Sequence, residues 1–276
     1  MGSRTIAGAA ALLAGIAGIA AVAGAQEAPR ESRDFPGLPE TDEPPSILAI
    51  LAHPDDEITI APALAIAARS GGEVTLVFAT SGDAGPGSSG LEPGEELAAL
   101  REGEARCSAR ALGLDAPEFW RLGDGTLAAM ARMEDSPARR LSERIAAIVE
   151  RTRPAVVMTW GPDGGYGHAD HRMVSAAVTQ VLARMDETRP NLLYAAIPAD
   201  DARTAPPGFE QWATTHPTII TDRIGYGETD LDAAGRALAC YESQFPAAAR
   251  EALVPMLHRM VWRGQVHFRE AFPHEF

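Results

Sequence analysis

Short apolar runs alternate with longer amphipathic segments over the first two thirds of the chain. Runs rich in Val, Ile, Leu and Ala that are bounded by turn residues predict buried strands. Five such runs lie at 47–52, 74–79, 119–122, 155–159 and 192–197.

Helical periodicity fills most of the intervals between these strands. Apolar residues recur every three to four positions at 58–69, 95–112, 136–152 and 170–185. Strands separated by helices of this length predict a doubly wound, mostly parallel α/β sheet with helices on both faces. Such a sheet binds its ligand at the carboxyl ends of its strands. The residues that directly follow each strand are therefore the first candidates for function.

The pattern weakens after residue 198. A proline-rich stretch at 204–208 precedes a predicted strand at 218–221 and predicted helices at 231–243 and 247–263. None of this region reads as an independent unit, and 276 residues with 46% apolar composition suit one well-filled core. We therefore expect a single domain over 46–276.

The first 25 residues read as a secretory signal peptide. Arg4 precedes a long apolar stretch that ends in small residues at 23–25, the pattern of an export signal with its cleavage site. We expect cleavage after about Ala25, a disordered lead-in at 26–45, and a secreted or periplasmic protein without stable membrane insertion. The alternative is an uncleaved N-terminal membrane anchor.

Charge and residue usage exclude some classes of function. The formal net charge is −14, and no concentrated basic face is present, so nucleic acid is excluded as a partner. All 24 basic side chains are Arg, which excludes Schiff-base chemistry and a phosphate-binding P-loop, since both need a Lys amine. Cys107 and Cys240 fall in predicted helices, and the sequence leaves both a disulfide and two free thiols open.

The first candidate motif, Ala-His-Pro-Asp-Asp-Glu, follows the first predicted strand. His53 offers an imidazole nitrogen and Asp56 a carboxylate oxygen, a pair that suits Zn²⁺. The alternative is that Asp55 or Asp56 only caps the next helix. That alternative leaves the histidine at the same strand end unexplained.

The second candidate motif follows the fourth predicted strand and runs from Trp160 to Arg172. Its glycines allow tight turns and close approach of a ligand. His168 and His171 lie three residues apart and can share one face of a helix that begins here. With His53, two strand ends supply three of the seven histidines, which predicts a metal site.

A site of His53, Asp56 and His171 leaves at least one metal position open, as catalytic zinc sites do. An open Zn²⁺ lowers the pKa of its bound water and polarises a carbonyl oxygen. Asp55, beside a ligand, is the candidate general base, and His168 the candidate oxyanion partner with Tyr166 as a further donor.

These two motifs, in this order, resemble those of the PIG-L/LmbE family of zinc-dependent N-deacetylases, from about Ser46 to the C-terminus. The resemblance implies a Rossmann-like fold and a hydrolase in which a metal-bound water attacks the amide of an N-acetylated amino sugar or glycoconjugate, typically N-acetylglucosamine. It implies Zn²⁺ as the cofactor, with Fe²⁺ as the alternative, and His53, Asp56 and His171 as ligands.

The resemblance also implies roles for other positions. Asp55 is the general base, His168 the electrostatic partner, and Asp170 the residue that orients the histidine beside it. Tyr166 falls at a tyrosine that lies on a mobile loop in part of the family. Arg101 is expected to contact the sugar, and its alternative is an ion pair on a helix surface.

Four further segments have no assigned reaction role. Residues 82–94 form a glycine-rich loop that is either a lid or plain disorder. Residues 122–125 read as a turn, and residues 241–244 (Tyr-Glu-Ser-Gln) and 270–272 read as packing signatures.

Two other functions are weighed against deacetylation. An exported metal-dependent hydrolase of another bond, such as a phosphoester, would need cationic clamps or paired metals, and only Arg101 and Arg172 lie near the motifs. A non-catalytic carbohydrate-binding module would not need Asp55. The export signal favours a small-molecule or glycan substrate outside the cytosol; the sugar, its aglycone and the oligomeric state are not indicated.

Overall fold

The apolar runs pair into one seven-stranded sheet in the computed structural model, which describes residues 45–130, 132–186, 188–199 and 211–272. The strands are β1 (Ile47–Leu51), β2 (Val74–Phe78), β3 (Glu118–Phe119), β4 (Val156–Thr159), β5 (Asn191–Ala196), β6 (Asp222–Gly225) and β7 (Gln265–Glu270). The helices are α1 (Ala61–Arg69), α2 (Glu95–Leu112), α3 (Pro137–Thr152), α4 (Ala169–Leu182), α5 (Glu228–Ala239) and α6 (Ala247–Leu257).

Several sequence predictions lie outside the described residues. These are the signal peptide, nearly all of the lead-in, and the proline-rich stretch at 204–208. Within the described ranges, no helix combines the length and the apolar character that crossing a membrane requires.

The strand order is β3-β2-β1-β4-β5-β7-β6. The first five strands in this order are parallel, while β7 runs antiparallel to β5 and β6 antiparallel to β7. The predicted doubly wound, mostly parallel α/β sheet is confirmed. The antiparallel β7 was not predicted.

The prediction of a strand at 218–221 is wrong. Pro217–Ile219 forms a 3-10 turn, and the strand begins four residues later than predicted, at Asp222. Proline cannot donate a backbone hydrogen bond to a sheet, and its fixed φ suits the first position of a helical turn. His216 caps this turn, with its side chain accepting from the Thr218 amide.

Both faces of the central strands are buried. Alternate residues of β1 point to two apolar clusters: Leu48 and Ile50 pack with α3 and α4, and Ala49 and Leu51 pack with α1, α2, α5 and α6. This two-sided burial explains why the strands appear in the sequence as continuous apolar runs.

A disulfide joins Cys107 of α2 to Cys240 at the end of α5, with Cα atoms 5.8 Å apart. It ties together two helices that pack side by side on the same face of the sheet. The choice between pairing and free thiols, open from the sequence, is thus settled in favour of pairing.

The carboxyl ends of β1 and β4 lie side by side, because these two strands are hydrogen-bonded neighbours. The chain order reverses between them, since β2 and β3 continue to one side of β1 and β5 to the other side of β4. Doubly wound sheets form their ligand crevice at this point, and the two candidate motifs follow these two strands.

Candidate metal centre

The loop after β1 turns sharply at Asp55, whose φ of 99° lies in the left-handed region that favours glycine. A 3-10 turn begins at Asp56, and Asp55 makes no side-chain capping bond to it. The Asp56 Oδ2 atom accepts hydrogen bonds from two backbone amides at the strand end, 2.9 Å each, and from Trp160 Nε1 at 3.0 Å. These three donors occupy Oδ2, while Oδ1 lies 3.1 Å from His171 Nε2.

The loop after β4 places His171 in the first turn of α4, fully buried. The Gly164 carbonyl lies 3.1 Å from His171 Nδ1, and the Trp160 indole stacks on the imidazole with ring centroids 4.4 Å apart. Gly164 has φ 72°, and an added Cβ would lie 2.8 Å from the His168 carbonyl oxygen. The tight turn that holds His171 therefore requires glycine at this position.

His53 is held by two carboxylates on the side of its ring away from His171. Its Nε2 lies 3.0 Å from Asp124 Oδ1 and 3.4 Å from Asp170 Oδ2. Asp170 in turn accepts hydrogen bonds from the amides of Gly125 and Leu127. This arrangement ties the 122–127 turn to the two motif loops.

Two predictions change at this point. Asp170 was expected to orient His171 beside it, but the structure places its carboxylate at His53, and the Gly164 carbonyl holds His171 instead. The direction in which the Asp170 side chain leaves the first turn of α4 determines its partner. Being next to His171 in the sequence does not bring the two side chains together. Asp124 was read only as part of a turn. The available signal was that it, too, is an acidic residue closely following a strand.

Hydrogen bonding fixes which nitrogen of each ring is available. A carboxylate or carbonyl only accepts, so His53 Nε2 and His171 Nδ1 carry hydrogens, and a lone pair is required at His53 Nδ1 and His171 Nε2 for metal binding. Burial opposes a charge on His53, but its bonds to Asp124 and Asp170 outweigh this and raise its pKa to about 10. A metal would therefore bind His53 by displacing a proton from Nδ1.

The three predicted ligand atoms converge. His53 Nδ1 lies 3.2 Å from His171 Nε2, and His171 Nε2 lies 3.1 Å from Asp56 Oδ1. The other oxygen of this carboxylate, Oδ2, lies 3.8 Å from His53 Nδ1. Donors on a tetrahedral zinc with bonds of about 2.0–2.1 Å are about 3.4 Å apart. Two imidazole nitrogens and one carboxylate at this spacing fit Zn²⁺ or Fe²⁺ and leave room for a further ligand.

Two other groups of potential ligands surround His53. Its ring nitrogens come within 4.8 Å of those of His168 and His171, and also lie close to Asp124 and Asp170. The second group gathers at the Nε2 side, where the carboxylates accept from the ring, so it fits the orienting role better than metal binding.

Asp55 pairs with Arg101 beside this centre. Arg101 is 4% exposed, and its Nη2 donates to Asp55 Oδ2 at 3.1 Å and to the Pro54 carbonyl at 2.7 Å. Burial raises the pKa of Asp55 to about 7, with the Arg101 charge opposing the shift. The sugar contact expected of Arg101 stays a prediction; in this structure its guanidinium braces the Asp55 loop.

His168 and Tyr166 form the rim of the centre. The His168 ring centroid lies 4.7 Å from those of both His53 and His171. Its Nδ1 accepts a hydrogen bond from the Asp170 amide at 3.2 Å, and burial together with nearby histidines lowers its pKa. The neutral ring therefore carries its hydrogen on Nε2. Tyr166 is partly exposed, with one side of its ring against His168 and His171. Partial desolvation together with the charges of Asp56 and Asp55 raises its pKa, so the hydroxyl keeps its proton.

Residues 48–182 match the PIG-L family model, described as GlcNAc-PI de-N-acetylase. A 1D-myo-inositol 2-acetamido-2-deoxy-alpha-D-glucopyranoside deacetylase from Nakamurella multipartita is 34% identical over 196 residues, covering 61% of this chain and 67% of the relative. Other curated relatives of the same name are 34% identical over 154 residues, and this chain spans about half their length.

Solved structures share the fold. An N,N'-diacetylchitobiose deacetylase from Pyrococcus horikoshii superposes with a TM-score of 0.59 and 20% identity, covering 82% of this chain and 83% of the other. GalB, the 4-carboxy-2-hydroxymuconate hydratase from Pseudomonas putida, superposes with 0.58 and 16% identity, covering 84% and 98%. Since one fold carries both names, the fold alone does not decide the reaction.

Proposed function

This chain belongs to the PIG-L family, and from that membership we propose that it is a metal-dependent hydrolase that removes the acetyl group from an N-acetylated amino sugar. The observation that carries the proposal is the convergence of His53 Nδ1, Asp56 Oδ1 and His171 Nε2 beside an aspartate with a raised pKa. A binding module would not need such an aspartate.

We assign the metal to His53, Asp56 and His171, with Zn²⁺ as the first choice and Fe²⁺ as the alternative. A divalent metal held there would activate water and polarise the acetamide carbonyl. The chain's own residues supply the orientation: Asp124 and Gly164 fix the two imidazoles, and the Trp160 indole nitrogen fixes the carboxylate.

Asp55 is the proposed general base. Arg101 contacts its Oδ2, so Oδ1 is the atom proposed to take the proton from the attacking water and to pass it to the leaving amine. Burial raises the pKa of Asp55 above that of an ordinary aspartate, and a more basic carboxylate is a better proton acceptor.

His168 is the proposed stabiliser of the oxyanion. Its Nδ1 is occupied by the Asp170 amide, so its Nε2–H is the donor proposed for the carbonyl oxygen as negative charge develops. Tyr166, with a hydroxyl that keeps its proton, is the proposed second donor at the rim.

Charge at the centre opposes a phosphoester substrate. Asp55, Asp56, Asp124 and Asp170 all lie there, and the nearby cations are engaged: Arg101 pairs with Asp55, and Arg172 Nε donates to the Asp163 carbonyl at 2.9 Å. A neutral acetamide avoids the repulsion that a phosphate would meet. The proposed substrate is thus a small molecule or glycan that carries an N-acetyl sugar, outside the cytosol if the predicted signal peptide acts.

The test is acetate release from N-acetylglucosamine-containing substrates after loading with Zn²⁺ or Fe²⁺. Asp55→Asn should lower kcat by at least about a hundredfold, in line with loss of a general base, while metal content stays at the wild-type level. Asp115→Asn is the matched control, because Asp115 is exposed on the surface. Full activity of the Asp55 variant would refute the base, and release of phosphate from phosphomonoesters without acetate release would refute the reaction.

A further inference from the structure

Glu57, the last residue of the first motif, lies fully buried beneath the proposed centre. Three donors converge on its carboxylate. The Ser108 and Tyr241 hydroxyls both donate to Oε1, each at 2.5 Å, and the Asp55 amide donates to Oε2 at 3.1 Å. Glu57 thereby joins the loop after β1 to α2 and to the turn that follows α5.

The hydrogen bond between the Asp55 amide and Glu57 stabilises an unfavourable backbone conformation. Asp55 has φ 99°, a conformation that non-glycine residues keep only when their surroundings hold it. Glu57 holds the amide of Asp55, and Arg101 holds the preceding carbonyl, that of Pro54, at 2.7 Å. These two contacts fix the peptide that leads into Asp55, and so the direction in which its carboxylate leaves the backbone.

The two hydroxyl donors are themselves fixed relative to each other. Ser108 and Tyr241 directly follow Cys107 and Cys240, the two halves of the disulfide. One turn earlier on α2, Glu104 accepts from the Ser243 amide at 2.7 Å and from its hydroxyl at 2.5 Å. The segment at 241–244, read from the sequence as packing, is thus held against α2 by the disulfide at Cys240 just before it and by Ser243 within it.

We infer that Glu57 is a positioning residue for Asp55, and that Ser108 and Tyr241 act through it. The inference rests on the proposed function, because the direction of Asp55 matters for rate only if Asp55 is the base. Its effect is expected on the chemical step, since a displacement of about 1 Å at a reacting group can cost about a hundredfold in rate.

The experiment compares Tyr241→Phe with Tyr226→Phe. Both tyrosines are fully buried and each loses one hydroxyl contact, but the Tyr226 hydroxyl bonds to His258, away from the centre. Hydrogen exchange at the Asp55 amide, metal content, kcat and KM are measured on the full chain. Glu57→Gln is measured as a second variant, because it keeps the side-chain shape and changes the acceptors.

Tyr241→Phe and Glu57→Gln should speed exchange at the Asp55 amide by at least about tenfold and lower kcat by about tenfold to a hundredfold, with KM and metal content unchanged. Tyr226→Phe should change none of these. Unchanged exchange at Asp55 in both variants would overturn the inference, and so would an equal rise at the amides of β1, which reports general unfolding. If the wild-type protein releases no acetate, the proposed function fails, but the exchange measurement still decides whether Glu57 holds Asp55.

Discussion

Removal of the disulfide between Cys107 and Cys240 should lower the free energy of unfolding by several kcal/mol. The two cysteines are 133 residues apart in the sequence, so the bond closes a long loop in the unfolded chain. The chain-entropy relation gives about 5 kcal/mol for a loop of this length. The contacts between α2 and the end of α5, such as Glu104 with Ser243, can persist without the bond, so the loss acts mainly through the unfolded state.

The assay is urea denaturation of the wild-type protein with and without a thiol reductant, followed by tryptophan fluorescence. With a slope of about 3 kcal/mol/M, a loss of about 5 kcal/mol lowers the midpoint by about 1.7 M. The Cys107→Ala/Cys240→Ala variant is the control: its midpoint should match the reduced wild type and should not respond to reductant. A wild-type midpoint that is the same with and without reductant would refute the reasoning.

Two further predictions concern metal binding and pH. Gly164→Ala should weaken metal affinity by about tenfold to a hundredfold, measured by chelator competition. The new Cβ would clash with the His168 carbonyl, and the shift of residue 164 that relieves the clash moves its own carbonyl away from His171. Gly235→Ala, at an open helical position, should leave affinity unchanged and raise stability by about 0.5–1 kcal/mol. Burial lowers the pKa of His267 to about 4, below the ordinary 6.5, so the unfolded chain binds the extra proton between these values, and stability falls as pH drops through that window by at most about 3 kcal/mol. His267→Phe should flatten this part of the profile in urea denaturation at pH 7 and pH 4.5, and a wild-type slope that persists in the variant would assign it to other groups.

Helices and strands whose ends are set by nearby residues could be predicted from the sequence. The helix at 95–112 was placed at both ends because acidic residues fill its first turn and Gly113 ends it in the left-handed conformation. The strand β7 was missed because its neighbours β5 and β6 pair with it antiparallel, and this pairing depends on tertiary contacts. The same limit applied to the disulfide, since no pattern near Cys107 or Cys240 reports how α2 and α5 pack.

Some residues of the candidate site could also be predicted from the local sequence, and others could not. His53, Asp56 and His171 could be proposed as ligands from the sequence because each lies in a segment that follows a strand of a parallel sheet, and the fold brings these segments together. Asp124 and Glu57 could not be assigned, because what they do depends on partners 71 and 184 residues away in the sequence, His53 and Tyr241. A residue that acts by positioning another residue is hard to assign, because little in the sequence near it indicates that role.

Asp55 and Asp56 demonstrate how two neighbouring carboxylates in one loop acquire opposite properties. Burial raises the pKa of both, but Asp56 also faces His171 and accepts three hydrogen bonds on Oδ2, and these contacts hold its pKa well below the ordinary value. At Asp55 the charges of Arg101 and His53 oppose burial without outweighing it, and its pKa rises to about 7. The left-handed turn at Asp55 creates this difference, because it sends one carboxylate into a set of donors and the other away from them. The proposed metal ligand and the proposed general base can then stand side by side at one strand end.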